Sequence, residues 1–163
     1  MAAGDRKDVI VVGVDGSQAS AAALRWAVRE AALSHRGVHV VRAWTFDPLP
    51  GPGTGLSRQR AEADRRRELD HLVADVRGET SPVEVVAKVV EDTPSAALGR
   101  ASDGAAMLVL GSHGHNRVLR LLVGSVTEQC LRAATCPVVV IPARTRAPRP
   151  PESGTEPLTG PLL

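Results

Sequence analysis

Short valine-rich stretches alternate with helix-patterned segments along this chain, and that alternation limits what it can fold into. Val9 to Val14 is a β-branched run, the mark of a strand buried on both faces. Val38 to Trp44, Val83 to Val90, Ala106 to Leu110 and Pro137 to Ile141 read as four further strands. Between the first two, from about Gln18 to His35, Leu24, Ala27, Val28 and Ala31 recur at helical spacing. Asp15-Gly16-Ser17 supplies a turn and a cap before this helix, and Gly37 is expected to stop it. A second helix between Ser57 and Gly78 carries Leu69, Leu72, Val73 and Val76 as its buried stripe. Thr93-Pro94 opens a third, with Pro94, Ala97, Leu98 and Ala101 on one face. Ser125 is expected to cap a fourth, ending near Ala134.

Strands buried on both faces and separated by helices predict a parallel sheet covered on each side. Right-handed crossovers then narrow the topology to an α/β, doubly wound three-layer sandwich. The 163 residues suffice for one such domain. Trp26, Trp44 and Phe46 are the only aromatic residues, so the core must be Val, Leu and Ala. The expected organisation is a short lead over 1–7, one domain over 8–143 and a tail over 144–163. That tail reads as disordered, because five of the chain's twelve prolines fall in its last 21 residues, without apolar periodicity. Residues 47 to 55, dense in Pro and Gly, read as a loop.

A formal charge of +2 is too small for a nucleic-acid or anionic-membrane surface. The arginines of the second helix alternate with acids, as on a solvated face laced with local ion pairs. Cys130 and Cys136 have no second pair to complete a zinc site and read as structural thiols. No apolar run reaches the roughly 20 residues that span a bilayer, and no signal-peptide core follows the N-terminus. The expected compartment is a reducing cytoplasm.

Ligands of open parallel sheets sit outside the carboxyl ends of the strands, where strand order reverses. Two such ends are chemically unusual here. The first strand ends in Gly13-Val14-Asp15-Gly16-Ser17, and the fourth in Gly111-Ser112-His113-Gly114-His115. The loop after the fourth returns at Gly124-Ser125 on a helix N-terminus. Glycines at 111, 114 and 124 would let backbone N–H groups approach an anion, with the helix dipole and the Ser125 hydroxyl beside them. His115 and Arg117 stand where a polyphosphate needs donors. Neither a P-loop nor a dinucleotide fingerprint is present.

Gly111-Ser112-His113-Gly114, nine residues, then Gly124-Ser125 matches Gly-x2-Gly-x9-Gly-Ser/Thr. This resembles the ATP-binding signature of the universal stress protein family. Val109 to Gly114, Leu122 to Glu128, Cys136 to Ile141, and Val12 to Ser17 with Ser20, Ala23 and Leu24 are similar to that family over about residues 7 to 142. The resemblance implies an adenine nucleotide alpha hydrolase-like fold, with a five-stranded sheet in the order 3-2-1-4-5. It implies a homodimer paired through strand five, about Val138 to Ile141. It implies an ATP ligand, with magnesium carried by the phosphates, and a nucleotide-responsive regulatory role in stress or dormancy, with an unknown protein partner. Asp15, beside Gly13, would face the nucleotide. The backbone of Ala43 would meet adenine, where the family often has Val. Gly111, Ser112, His113, Gly114, His115, Arg117, Gly124, Ser125 and Val126 would surround ribose and phosphates.

Other readings of the same residues remain. Asp15 could serve only its turn, and Ser125 only its helix. His113 and His115 form a His-x-His pair without a third ligand nearby in sequence. Ser112, His113 and Asp15 lack the nucleophile elbow of a hydrolase. A slow ATPase or nucleotidyl-transferring enzyme would have only His115, Arg117 and Asp15 at hand for phosphoryl transfer. A dimeric interaction module with a vestigial pocket is the third alternative. The apolar stretch Val118 to Val123 around Arg120 could be a partner surface or a lid.

Overall fold

The computed structural model describes residues 8–46, 58–78, 82–112 and 124–142. Nine elements alternate along them: β1 (Val9–Gly13), α1 (Gln18–Ser34), β2 (Gly37–Trp44), α2 (Arg58–Arg77), β3 (Val85–Glu91), α3 (Pro94–Ser102), β4 (Met107–Gly111), α4 (Ser125–Ala133) and β5 (Val138–Ile141). The five strands form one parallel sheet in the order β3-β2-β1-β4-β5. The three central strands are the most deeply buried, as their apolar runs require.

Two cores separated by the sheet hold the layers together. On one face Ile10, Val12, Val38, Val40 and Val109 pack against Ala23, Leu24, Ala27 and Ala31 of α1 and Leu69 of α2. On the other, Val11, Val41, Leu108 and Leu110 pack against Ala97 and Leu98 of α3 and Cys130 of α4. Alternate strand residues thus serve opposite cores. The alanine face of α1 lets that helix lie close to the sheet, since Ala23, Ala27 and Ala31 are each fully buried.

The expected elements all form, with ends shifted by one or two residues. Val14 leaves the first strand, although its N–H still donates to Val41 O at 3.0 Å. The third strand starts at Val85, because Val83 is instead buried in the core from the preceding turn. Gly37 does not stop α1: His35 does, in the left-handed region at φ 54°, and Gly37 is already paired with Val9 in the sheet. The N–H of Arg36 closes the helix end by donating to Ala31 O at 3.0 Å. A left-handed non-glycine residue is uncommon, but His is among the types that tolerate it.

The α2 stripe forms as expected, with Leu69 fully buried and Leu72, Val73 and Val76 packed beside it. Its charged face is only partly a set of local pairs. Arg66 pairs with Asp70 at 3.1 Å and Arg67 with Asp64, within the helix. Arg58 instead reaches Glu91 of β3 at 2.5 Å, and Glu68 takes Arg42 of β2 at 2.7 Å. The Arg65 guanidinium lies 4.7 Å from the centroid of the Trp44 ring. These contacts fasten α2 to β2 and β3 in ways that helical spacing alone does not encode. No helix among the described residues is long and apolar enough to cross a membrane.

Candidate functional site

Strand order reverses between β1 and β4. The chain leaves β1 toward α1 on one face and leaves β4 toward α4 on the other, opening a crevice at their carboxyl ends. The chain after β1 is tightly fixed there. Asp15 Oδ1 accepts from the Ser17 N–H at 2.9 Å, an Asx turn, with Gly16 between them at φ 86°. Ser17 caps α1, its Oγ accepting from the Ser20 N–H at 3.2 Å, and Ser20 Oγ donates to Ser17 O at 2.9 Å. Ser20 Oγ also lies 3.4 Å from the Asp15 N–H. The exposed Asp15 carboxylate is therefore oriented by its own turn before any ligand arrives.

The other wall is built where the chain leaves β4 and returns as α4. Ser112 N–H donates to Ile141 O at 2.8 Å, extending the sheet by one residue. Gly124 N–H donates to Ser112 O at 3.1 Å, so the segment leaving at 112 returns to the same point at 124. Thr127 Oγ1 donates to Gly111 O at 3.1 Å and fixes the first turn of α4 against the end of β4. Ser125 is not the cap of this helix. Gly124 occupies that position, and Ser125 is its first helical residue, with an exposed side chain. The first intrahelical bond runs from Glu128 N–H to Gly124 O at 2.9 Å. Helix geometry leaves the N–H groups of Ser125, Val126 and Thr127 without intrahelical acceptors. With the positive end of the helix dipole, they make a set of donors for an anion.

Two of the expected glycines have a different physical reason from anion access. A Cβ on Gly111 would lie 2.8 Å from the backbone carbon of Ala19 and 3.0 Å from its oxygen and Cβ. A Cβ on Gly13 would lie 2.7 Å from Leu110 Cδ2 and 2.9 Å from Leu98 Cδ2. Glycine at 111 brings the first turn of α1 against β4, and glycine at 13 lets Leu98 and Leu110 close over β1. Both position the crevice walls by packing.

Ala43 lies two residues beyond Val41, the last β2 residue in register with β1. Val41 turns its carbonyl toward Val14. With a strand period of two, Ala43 presents its own N–H and C=O on that same edge, one step past the end of β1. Its side chain is half-buried against the α3 core.

Gly13, Asp15, Ala43, Gly111, Ser112, Gly124, Ser125 and Val126 thus lie at the carboxyl ends of neighbouring strands or on the helix start beside them. His113, Gly114, His115 and Arg117 lie outside the described residues, as do 47–57, 118–123, 143–163 and the lead 1–7. Among the described residues no group of three or more His, Cys, Asp or Glu could hold a metal ion. Thr127 and Ala19 were not singled out by sequence reasoning. Thr127 stands two residues after the Gly-Ser step, where a hydroxyl could have been read as a tether; Ala19 gave no such signal, because its role depends on a helix meeting a distant strand.

The family model described as the universal stress protein family matches residues 7–142. A universal stress protein of Mycobacterium tuberculosis is 36% identical over 138 residues, which is 81% of this chain and 47% of that protein. The chain spans about half the length of the curated relatives it matches. A solved structure of a family member from Burkholderia pseudomallei is 32% identical, with a TM-score of 0.63 over 86% of this chain and 99% of that one. A universal stress protein from Archaeoglobus fulgidus, solved in complex with dAMP, is 26% identical, with a TM-score of 0.57 over 81% of this chain and 95% of that one. Sheet order, helix placement and these likenesses together give the adenine nucleotide alpha hydrolase-like fold. The chain belongs to the universal stress protein family.

Proposed function

We propose that this chain is an ATP-binding regulatory module, in which nucleotide occupancy of the β1/β4 crevice is read by a protein partner. The observation that carries this reading is the start of α4. Three N–H groups lack intrahelical acceptors there, on a helix tethered to β4 through Gly124 and Thr127. Ser125 and Val126 would donate to phosphates, with Gly111, Ser112 and Gly124 beneath them. Asp15 would face the ribose or the magnesium carried by the phosphates, and the Ala43 backbone would meet the adenine edge. His113, Gly114, His115 and Arg117 complete the proposed set from the segment between Ser112 and Gly124. The dAMP bound by the Archaeoglobus relative supports an adenine nucleotide as the ligand class. Among the described residues the crevice offers polar backbone and one carboxylate, a donor set that suits nucleotide binding.

The proposed domain is 8–143, with a separate proline-rich tail over 144–163. Pairing through β5 into a homodimer is part of this reading: among the described residues its outer edge has no neighbour in the sheet, and its four apolar side chains are all half-buried. A reducing cytoplasm suits its two free thiols. The test is to denature the purified protein, identify released small molecules by chromatography, and titrate Mg-ATP by calorimetry with turnover followed in parallel. Stoichiometric adenine nucleotide, lost in Gly124→Val while the melting curve stays cooperative, is the expected result. The absence of both released nucleotide and binding heat at several temperatures would refute the ATP reading.

A further inference from the structure

Among the described residues, the crossover from β3 to β4 carries α3 mainly onto β2, β1 and β4, so on the sheet face that bears α3 and α4 the outer strand β3 is the least covered. A groove of about 330 Å³ opens there. Val41 and Val90 contribute to its floor and Ala101 to its wall, while His39, Lys88 and Arg100 bring nitrogen to an otherwise apolar lining. It extends to Val9 and Ala105, at the amino ends of β1 and β4, away from the crevice described above.

The charges around this groove are not equivalent. Arg100 is paired with Asp92. His39 is half-buried between opposing influences: burial and Lys88 lower its pKa, whereas Glu84 raises it. Lys88, on exposed mid-strand β3 and in register with Val41, makes no ion pair among the described residues. Among the described residues the uncompensated cation lining the groove is thus the Lys88 ammonium, beside an apolar floor. Glu84, close enough to raise the His39 pKa, disfavours a polyanion.

We propose that this groove binds a small monocarboxylate with an apolar body, the carboxylate on Lys88 and the body across Val41 and Val90 toward Ala101. An ammonium–carboxylate hydrogen bond supplies orientation, and the apolar walls supply the remaining affinity. The site is independent of nucleotide and does not rest on the crevice being an ATP site.

Hexanoate is a suitable probe, with hexanol as the uncharged control, followed by NMR at the His39 ring and the Lys88 side chain. Saturable shifts at both residues are expected with hexanoate, together with a rise in the His39 pKa as negative charge enters beside it. Lys88→Gln should weaken hexanoate by about two- to fivefold, the range of a solvent-screened ion pair. Ala101→Leu, which fills the groove and leaves Lys88 in place, should abolish the shifts while the thermal transition remains cooperative. Equal response to hexanol and hexanoate, no saturation at His39, or unchanged affinity in Lys88→Gln would overturn the proposal. So would displacement of hexanoate by ATP, which would put the probe in the β1/β4 crevice.

Discussion

Replacing Gly111 by Ala tests how the crevice is assembled, because the structure assigns this glycine a packing role. The added methyl carbon would lie 2.8 Å from the Ala19 backbone carbon and 3.0 Å from its oxygen. Those atoms belong to the first turn of α1, which is held by the Ser17 cap and by the fully buried Ala23 and Ala27. The helix must move by several tenths of an ångström, and overpacking of this kind costs about 1–3 kcal/mol. Loss of glycine's freedom in the unfolded chain offsets roughly 0.4–1 kcal/mol of that. The expected net loss is about 1.3 kcal/mol, or roughly 3–5 °C in melting temperature at this chain length. Gly13→Ala meets only the side-chain ends of Leu98 and Leu110, which can turn away, so its loss should be smaller, about 1 kcal/mol. Gly99 is the internal control. It lies within α3 with nothing within 4 Å of an added Cβ, so alanine there should stabilise by about 0.5–1 kcal/mol. Urea and thermal unfolding followed by circular dichroism would rank the three variants. Wild-type stability in Gly111→Ala, or a greater loss in Gly99→Ala, would refute the reasoning.

Leu69 is the one fully buried α2 side chain, so Leu69→Ala should cost about 2–5 kcal/mol in urea unfolding, far more than alanine at the exposed Asp70. Burial and Lys88 lower the pKa of His39, with Glu84 opposing and Arg100 also lining its groove, so the unfolded chain binds its proton more readily. Stability from this residue is complete above about pH 6.5 and declines as the pH falls below it; His39→Gln should flatten that stretch of the stability–pH curve. Burial likewise raises the pKa of Cys130, and only the thiolate is nucleophilic. A colorimetric thiol assay of the native protein should therefore show Cys136 reacting first and Cys130 lagging until denaturant is added, an order that Cys136→Ala identifies directly.

The sequence alone determined the layer architecture. Short β-branched runs bounded by turn residues favour strands, and strands apolar throughout bury both faces beneath helices, so β1, β2 and β4 were legible from composition and length. The amphipathic stripe at Leu69, Leu72, Val73 and Val76 was legible for the same reason, since helical spacing is a local property. Strand order was not available from periodicity; it came from likeness to a known family and agrees with the observed sheet. The Asx turn at Asp15 and the Ser17 cap were readable because both bonds close within a few residues.

Contacts between distant segments had no such local trace. Thr127 reaching Gly111, Gly124 meeting Ser112 and Ala19 filling the space beside Gly111 join residues that only the closed fold brings together. The helix ends went the same way: His35 took the left-handed position expected of Gly37, and Gly124 took the cap expected of Ser125. Where the neighbouring strand begins decides which residue is free to turn. Patterning therefore determined which segments are buried, while tertiary structure decided which atoms meet, because a hydrogen bond or a 2.8 Å contact depends on positions that no single segment fixes.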